Sequence, residues 1–166
     1  NQEFGAVHRS GFNTPIWDTP ENRTSRWLGG GYTVWKRQVF DRWSFDEWFP
    51  GSGLWEDVVF SYQVGTEYDL AVVADAKADH VEGPLSLSGQ FNLGCHQIVR
   101  WMYFVKHHSE LSKTMCLWAC VGWTANNLVK GIASMDRNLL LRAMGNALGL
   151  PLAVVSALTL SGQRRS

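Results

Sequence analysis

Three apolar-rich stretches, residues 98–105, 115–132 and 139–160, run through the C-terminal part of the chain without the turn residues that punctuate strands. Stretches of this length and spacing predict helices from Gln97 onward, and their apolar sides must be covered by another layer of protein or by lipid. The segment 115–129, MCLWACVGWTANNLV, holds 15 residues and includes Asn126 and Asn127. A spanning helix needs about 20 predominantly apolar residues, so the segment falls short of a transmembrane assignment. Lys106, Lys113, Lys130, Arg137, Arg142, Arg164 and Arg165, with Trp101, Trp118 and Trp123, suit helices lying at a bilayer surface. A helical hairpin packed on the rest of the protein, its Lys and Arg solvated, fits the same residues.

The N-terminal part has a different rhythm. From residue 27 to 78, GGGYTVW reads as a glycine loop entering a strand, WKRQVFDRW as a short helix and FDEWFPGSG as a loop. WEDVVFSYQV then has helical spacing, and YDLAVVADA reads as a buried strand. This alternation of strand and helix predicts an α/β layer. The expected organisation is an α/β part over residues 1–94 and a helical region over residues 95–166. The Pro- and Asn-punctuated opening stretch reads as a loop, and the chain is expected to be the C-terminal piece of a longer protein.

Composition narrows the function classes. Lys plus Arg and Asp plus Glu are equal at 15 each, so no overall field draws the chain to nucleic acid and recognition must be local. A hydrophobic content of 45% in 166 residues is enough for a packed core. Nine Trp, eight Phe and four Tyr supply rings that serve as core fillers or as platforms for sugar faces. Cys95, Cys116 and Cys120 make no disulfide framework and, with His96, His107 and His108, match no usual zinc spacing. A reducing, cytoplasmic setting is predicted, with peripheral contact at the inner face of the membrane if the helices lie on a bilayer. Asn22-Arg23-Thr24 matches a glycosylation triplet, which matters only in a secreted chain.

The residues with the most chemical character are Glu56 and Asp57, delivered by a glycine-containing loop to the predicted first turn of a helix. The helix dipole alone favours acids there. The order of the surrounding segments adds more: LGGGYTVWKRQVF, then FDEWFPGSGLWEDVVFSY, then YDLAVVADAKADH. In this order, over about residues 27–132, the chain resembles glycosyltransferase family 2. The resemblance implies the C-terminal part of a GT-A, Rossmann-like domain without its nucleotide-binding half, followed by a helical region. It also implies inverting transfer of a sugar from a nucleotide-sugar donor to a glycan or lipid-linked acceptor, in cell-envelope polysaccharide synthesis.

By that resemblance Asp57 is the general base that takes the proton of the acceptor hydroxyl, a task suited to a positioned weak base. Glu56 orients the acceptor or the base. His80 is a ligand of a divalent cation, Mn²⁺ or Mg²⁺, which neutralises charge on the leaving diphosphate. Gly29, Gly30 and Gly31 allow close approach of phosphate or sugar, and Trp55 and Trp27 are stacking platforms. The sequence departs from the family in having no Asp-x-Asp motif, and in placing Gln63 where many relatives have a basic residue. A cation held by His80 alone would be weakly bound, so the isolated chain is expected to be inactive and to need the missing half for its metal. The alternative is a non-catalytic carbohydrate-binding or membrane-anchoring helical module.

Overall fold

The computed structural model describes residues 3–49, 53–79, 83 and 85–159, with side chains to residue 155. Contacts divide the chain into two units, Asn1–His8 with Asn13–Glu82, and Arg9–Phe12 with Gly83–Ser166.

Among the described residues the first unit holds one helix, α1 (Glu56–Val64), two short strands and two 3₁₀ turns. Its core is formed by Val39, Phe60, Val64 and Leu70, with Leu28, Trp35, Trp43 and Tyr68 packed around them. The helical spacing read in WEDVVFSYQV becomes α1. Its residues Val59, Phe60 and Val64 are buried, while Glu56 and Asp57 occupy the first turn. Strands β1 (Arg23–Ser25) and β2 (Leu70–Val72) pair antiparallel, with Thr24 opposite Ala71.

That pairing overturns the expected α/β fold. The chain is mostly helical, and the described residues form a two-stranded sheet rather than a Rossmann-like GT-A layer. The run around β2 has the composition of a buried strand, but only Leu70 at its start is buried and Ala71 is exposed. Its partner is the polar Arg23–Ser25 segment, which carries no apolar alternation and reads as loop from sequence. GGGYTVW and WKRQVFDRW also differ from expectation. They form 3₁₀ turns over Gly30–Tyr32 and Arg37–Asp41, short pieces in which backbone groups bond locally instead of joining a ladder.

The described residues of the second unit form a bundle of three helices, α2 (Leu87–His107), α3 (Lys113–Ala133) and α4 (Arg137–Thr159). Ser86 caps α2 by accepting from the Gly89 N–H, and Ser112 caps α3 by accepting from the Met115 N–H. Helices α2 and α4 approach backbone to backbone. A Cβ at Gly94 would lie 2.2 Å from the Arg142 carbonyl oxygen, and one at Gly145 would lie 2.0 Å from that of Phe91. Buried Asn146 donates from Nδ2 to the Gly94 carbonyl at 2.9 Å and accepts from Asn127 Nδ2 at 2.9 Å. The bundle is thus joined by small residues and an amide relay. Residues 9–12 pack on it: Trp101 Nε1 donates to the Ser10 carbonyl, and Phe12 meets the rings of Trp101 and Trp123.

Candidate active site around Asp57

The site is built at the start of α1. The Gly53 and Glu56 backbones close a turn through a 2.8 Å hydrogen bond from the Glu56 N–H to the Gly53 carbonyl. Trp55 then takes the left-handed conformation, φ 75°, immediately before the helix. This conformation is unfavourable for an L-residue, and burial of the indole opposes the cost. The turn sends Asp57 into the first helical turn with its carboxylate toward the glycine loop.

Two hydrogen bonds fix that carboxylate. Oδ2 accepts from the Gly30 N–H at 3.0 Å, and Oδ1 accepts from the Val58 N–H at 2.8 Å. The N–H of Asp57 itself is a further backbone donor to the carboxylate, and a carboxylate has about four acceptor positions, so capacity for an incoming hydroxyl remains. The loop is tied down from its other side by Ser61, one turn further along α1. Its Oγ accepts from the Leu28 N–H at 2.9 Å and donates to the Asp57 carbonyl at 2.6 Å. Ser61 is fully buried, and its hydroxyl, together with the Gly30–Asp57 bond, ties α1 to the glycine loop.

The glycines have specific uses here. A Cβ at Gly29 would lie 2.5 Å from the Tyr32 hydroxyl oxygen, and one at Gly30 would lie 3.1 Å from Asp57 Cβ. Without side chains at 29 and 30, the phenol of Tyr32 and the carboxylate of Asp57 fit against the loop. Gly31 is exposed.

Burial pushes the Asp57 carboxyl above its ordinary value, against the lowering effect of the hydrogen bonds from Gly30 and Val58. Burial also raises the Tyr32 phenol, and the negative charge of Asp57 raises it further. Tyr32 therefore senses the charge of Asp57. Trp17 meets Tyr32 and Trp27 edge to face, with centroids 5.7 and 5.9 Å apart. Trp17 is 51% exposed and Tyr32 44%, so an accessible aromatic surface adjoins the carboxylate.

The sequence-predicted residues are distributed around this centre. Asp57 and Gly30 are in direct contact, with Gly29 one residue away. Glu56 folds back over Gly53, where a Cβ would meet its Oε2 at 2.7 Å. Trp27 and Trp55 are buried, and Trp27 Nε1 donates to the Thr14 carbonyl at 2.8 Å. Their rings fill the core, and the accessible ring at this place is Trp17. Trp17, Tyr32 and Ser61 escaped the sequence reading; only Ser61 carried a local signal, lying four residues after Asp57 on the same helical face.

His80, the expected metal ligand, lies outside the described residues. Among the described residues no three His, Cys, Asp or Glu side chains converge to hold an ion. A hard divalent cation needs several oxygen ligands, so the described donor set does not fit Mn²⁺ or Mg²⁺. What the arrangement offers is a desolvated carboxylate able to accept a proton beside accessible aromatic rings. Compared with family models, curated proteins and solved structures, the chain matches none.

Proposed function

We propose that this chain supplies the acceptor-activating side of an inverting sugar transferase that uses a nucleotide-sugar donor, with Asp57 as the general base. The observation that carries the reading is the hydrogen bond between Gly30 and a half-buried Asp57 whose carboxyl is raised by burial. It joins two segments, the glycine stretch and the acidic pair, on which the resemblance to family 2 glycosyltransferases rests. The reading depends on this site and not on the fold class.

In the proposed reaction the acceptor hydroxyl donates its proton to an open lone pair of Asp57. The acceptor oxygen attacks the anomeric carbon from the side opposite the diphosphate. The bond from that carbon to the diphosphate oxygen breaks, its electron pair leaving with the nucleoside diphosphate, and the configuration inverts. A carboxyl raised above the ordinary aspartate range is a stronger base once ionised, and general base catalysis contributes about 10²–10⁴-fold. Trp17 and Tyr32 offer a ring surface for the acceptor sugar, and the loop at Gly29 and Gly30 fixes the carboxylate through its backbone. The acceptor is a glycan or a lipid-linked glycan.

The test is sugar transfer from a panel of nucleotide-sugars by the full-length product of the reading frame that encodes this chain, wild type against Asp57→Asn. The expected result is a loss of about 100-fold or more in the folded variant, since an amide cannot take the proton. Undiminished transfer by the variant removes Asp57 from the mechanism. Saccharide binding without transfer from any donor would favour a non-catalytic carbohydrate-binding module.

A further inference from the structure

The helical unit buries polar side chains beside its apolar core, while much of the outer surface of α3 and α4 is apolar. Between its helices lie Asn127, Asn146 and the Gln90–Arg142 pair, with Arg142 Nε donating to Gln90 Oε1 at 2.6 Å, along with the glycine contacts described above. Small residues and interhelical amides of this kind join helices whose outer surfaces face an apolar medium. On α3 the outward side carries Met115, Trp118, Val121, Val129 and Ile132, with Trp118 73% and Ile132 63% exposed. On α4 it carries Met144, Leu148, Leu152 and Val155. The stretch Arg137–Val155 is long and apolar enough to cross a membrane by length and composition, yet only 28% of it is buried, unlike the core helix of a soluble protein.

Charge is arranged to match. The 16 residues between Lys113 and Lys130 on α3 are uncharged, about 24 Å of helix. Lys113, Lys130 and Arg137 stand at helix ends. From Gly83 to Ser166 the sequence has eight Lys or Arg against two Asp or Glu, a net of +6 in a chain whose total is zero. The outer side of α2 is different, exposing Ser88, Asn92, His96 and His107. The bundle is therefore apolar on α3 and α4, polar on α2, and basic overall.

We propose that the outward faces of α3 and α4 lie in the interface of an anionic lipid bilayer, with Trp118, Val129 and Ile132 among the acyl chains and Lys113, Lys130 and Arg137 among the phosphates. Apolar burial supplies the attachment, and the positive balance of the unit selects an anionic surface. The α2 side stays in water. This inference is independent of the Asp57 reading, which concerns the other unit.

Flotation of the purified 166-residue chain with vesicles of phosphatidylcholine and phosphatidylglycerol tests it. The chain is expected to float, and to remain bound in about 1 M salt once inserted, because apolar attachment is not screened. The double variant Val129→Asp, Ile132→Asp, which alters two exposed positions, is expected to bind at least about tenfold more weakly with unchanged circular dichroism. Quenching by brominated lipid should fall in Trp118→Phe, a readout that does not depend on the folding of the acidic variant. A wild-type chain that stays with the soluble fraction would overturn the proposal. So would equal flotation of the acidic variant, or a soluble dimer that does not float and that the same substitutions dissociate.

Discussion

A half-buried aspartate with two backbone donors is pulled in opposite directions: hydrogen bonds favour its charge, and loss of water disfavours it. At Asp57 the loss of water dominates. The native protein therefore holds that proton more tightly than the unfolded chain does. The resulting stability is present in full below the unfolded pKa and is lost as pH rises through the folded one. Asp57→Asn never ionises, so its melting temperature should gain on wild type as pH rises through that window; parallel curves would contradict the balance. A ¹³C titration of the wild-type carboxyl should find its midpoint above the ordinary aspartate value. The same substitution should move the Tyr32 phenol down toward its ordinary value, because the Asp57 charge is one of the two causes that raise it. The carboxylate and the glycines were legible from residue type and order. Tyr32 and Trp17 were not, since they reach Asp57 and Trp27 through folding of a loop whose sequence has no period.

At the scale of elements, α1 packs into the core of the first unit, and its beginning is unusual. Trp55 combines a left-handed backbone with a buried ring. Trp55→Ala should destabilise the protein by about 3 kcal/mol or more through lost packing. Trp55→Gly should be about 1 kcal/mol less damaging than the alanine variant, reversing the usual order for helical positions, because only glycine is at ease at this φ. Urea denaturation of the two variants checks this, and an alanine variant more stable than the glycine one would contradict it. The helical period of WEDVVFSYQV specifies α1, but nothing local reveals that Trp55 is left-handed. The strands misled for a related reason. Leu70–Val72 has the composition of a buried strand, but a strand's surroundings depend on its partner, and Arg23–Ser25 gives it an exposed two-stranded ribbon.

At the scale of the molecule, two units of opposite charge balance differ in character: a carboxylate site in one and an apolar, basic bundle in the other. The helices of the second unit were legible from Gln97 onward because long apolar periods have few other solutions, whereas the first turns of α2, from Leu87, fell in the part expected to be α/β. The interior of the bundle depends on Asn146, which is fully buried. Asn146→Leu leaves the Asn127 amide and the Gly94 carbonyl without this partner and should cost at least about 2 kcal/mol. Adding Asn127→Leu should recover part of that loss; unchanged helix unfolding by far-UV circular dichroism in the single variant would refute the relay. The proposed role of Asp57 is that of a base with a desolvated carboxyl. It is tested most directly by the pH dependence of kcat/KM for sugar transfer, which reports the essential groups of the free enzyme. Activity should fall on the acid side with an apparent pKa above the ordinary aspartate value, and the residual activity of Asp57→Asn should lack that limb. A profile flat through this range, or the same limb in Asp57→Asn, would contradict the account.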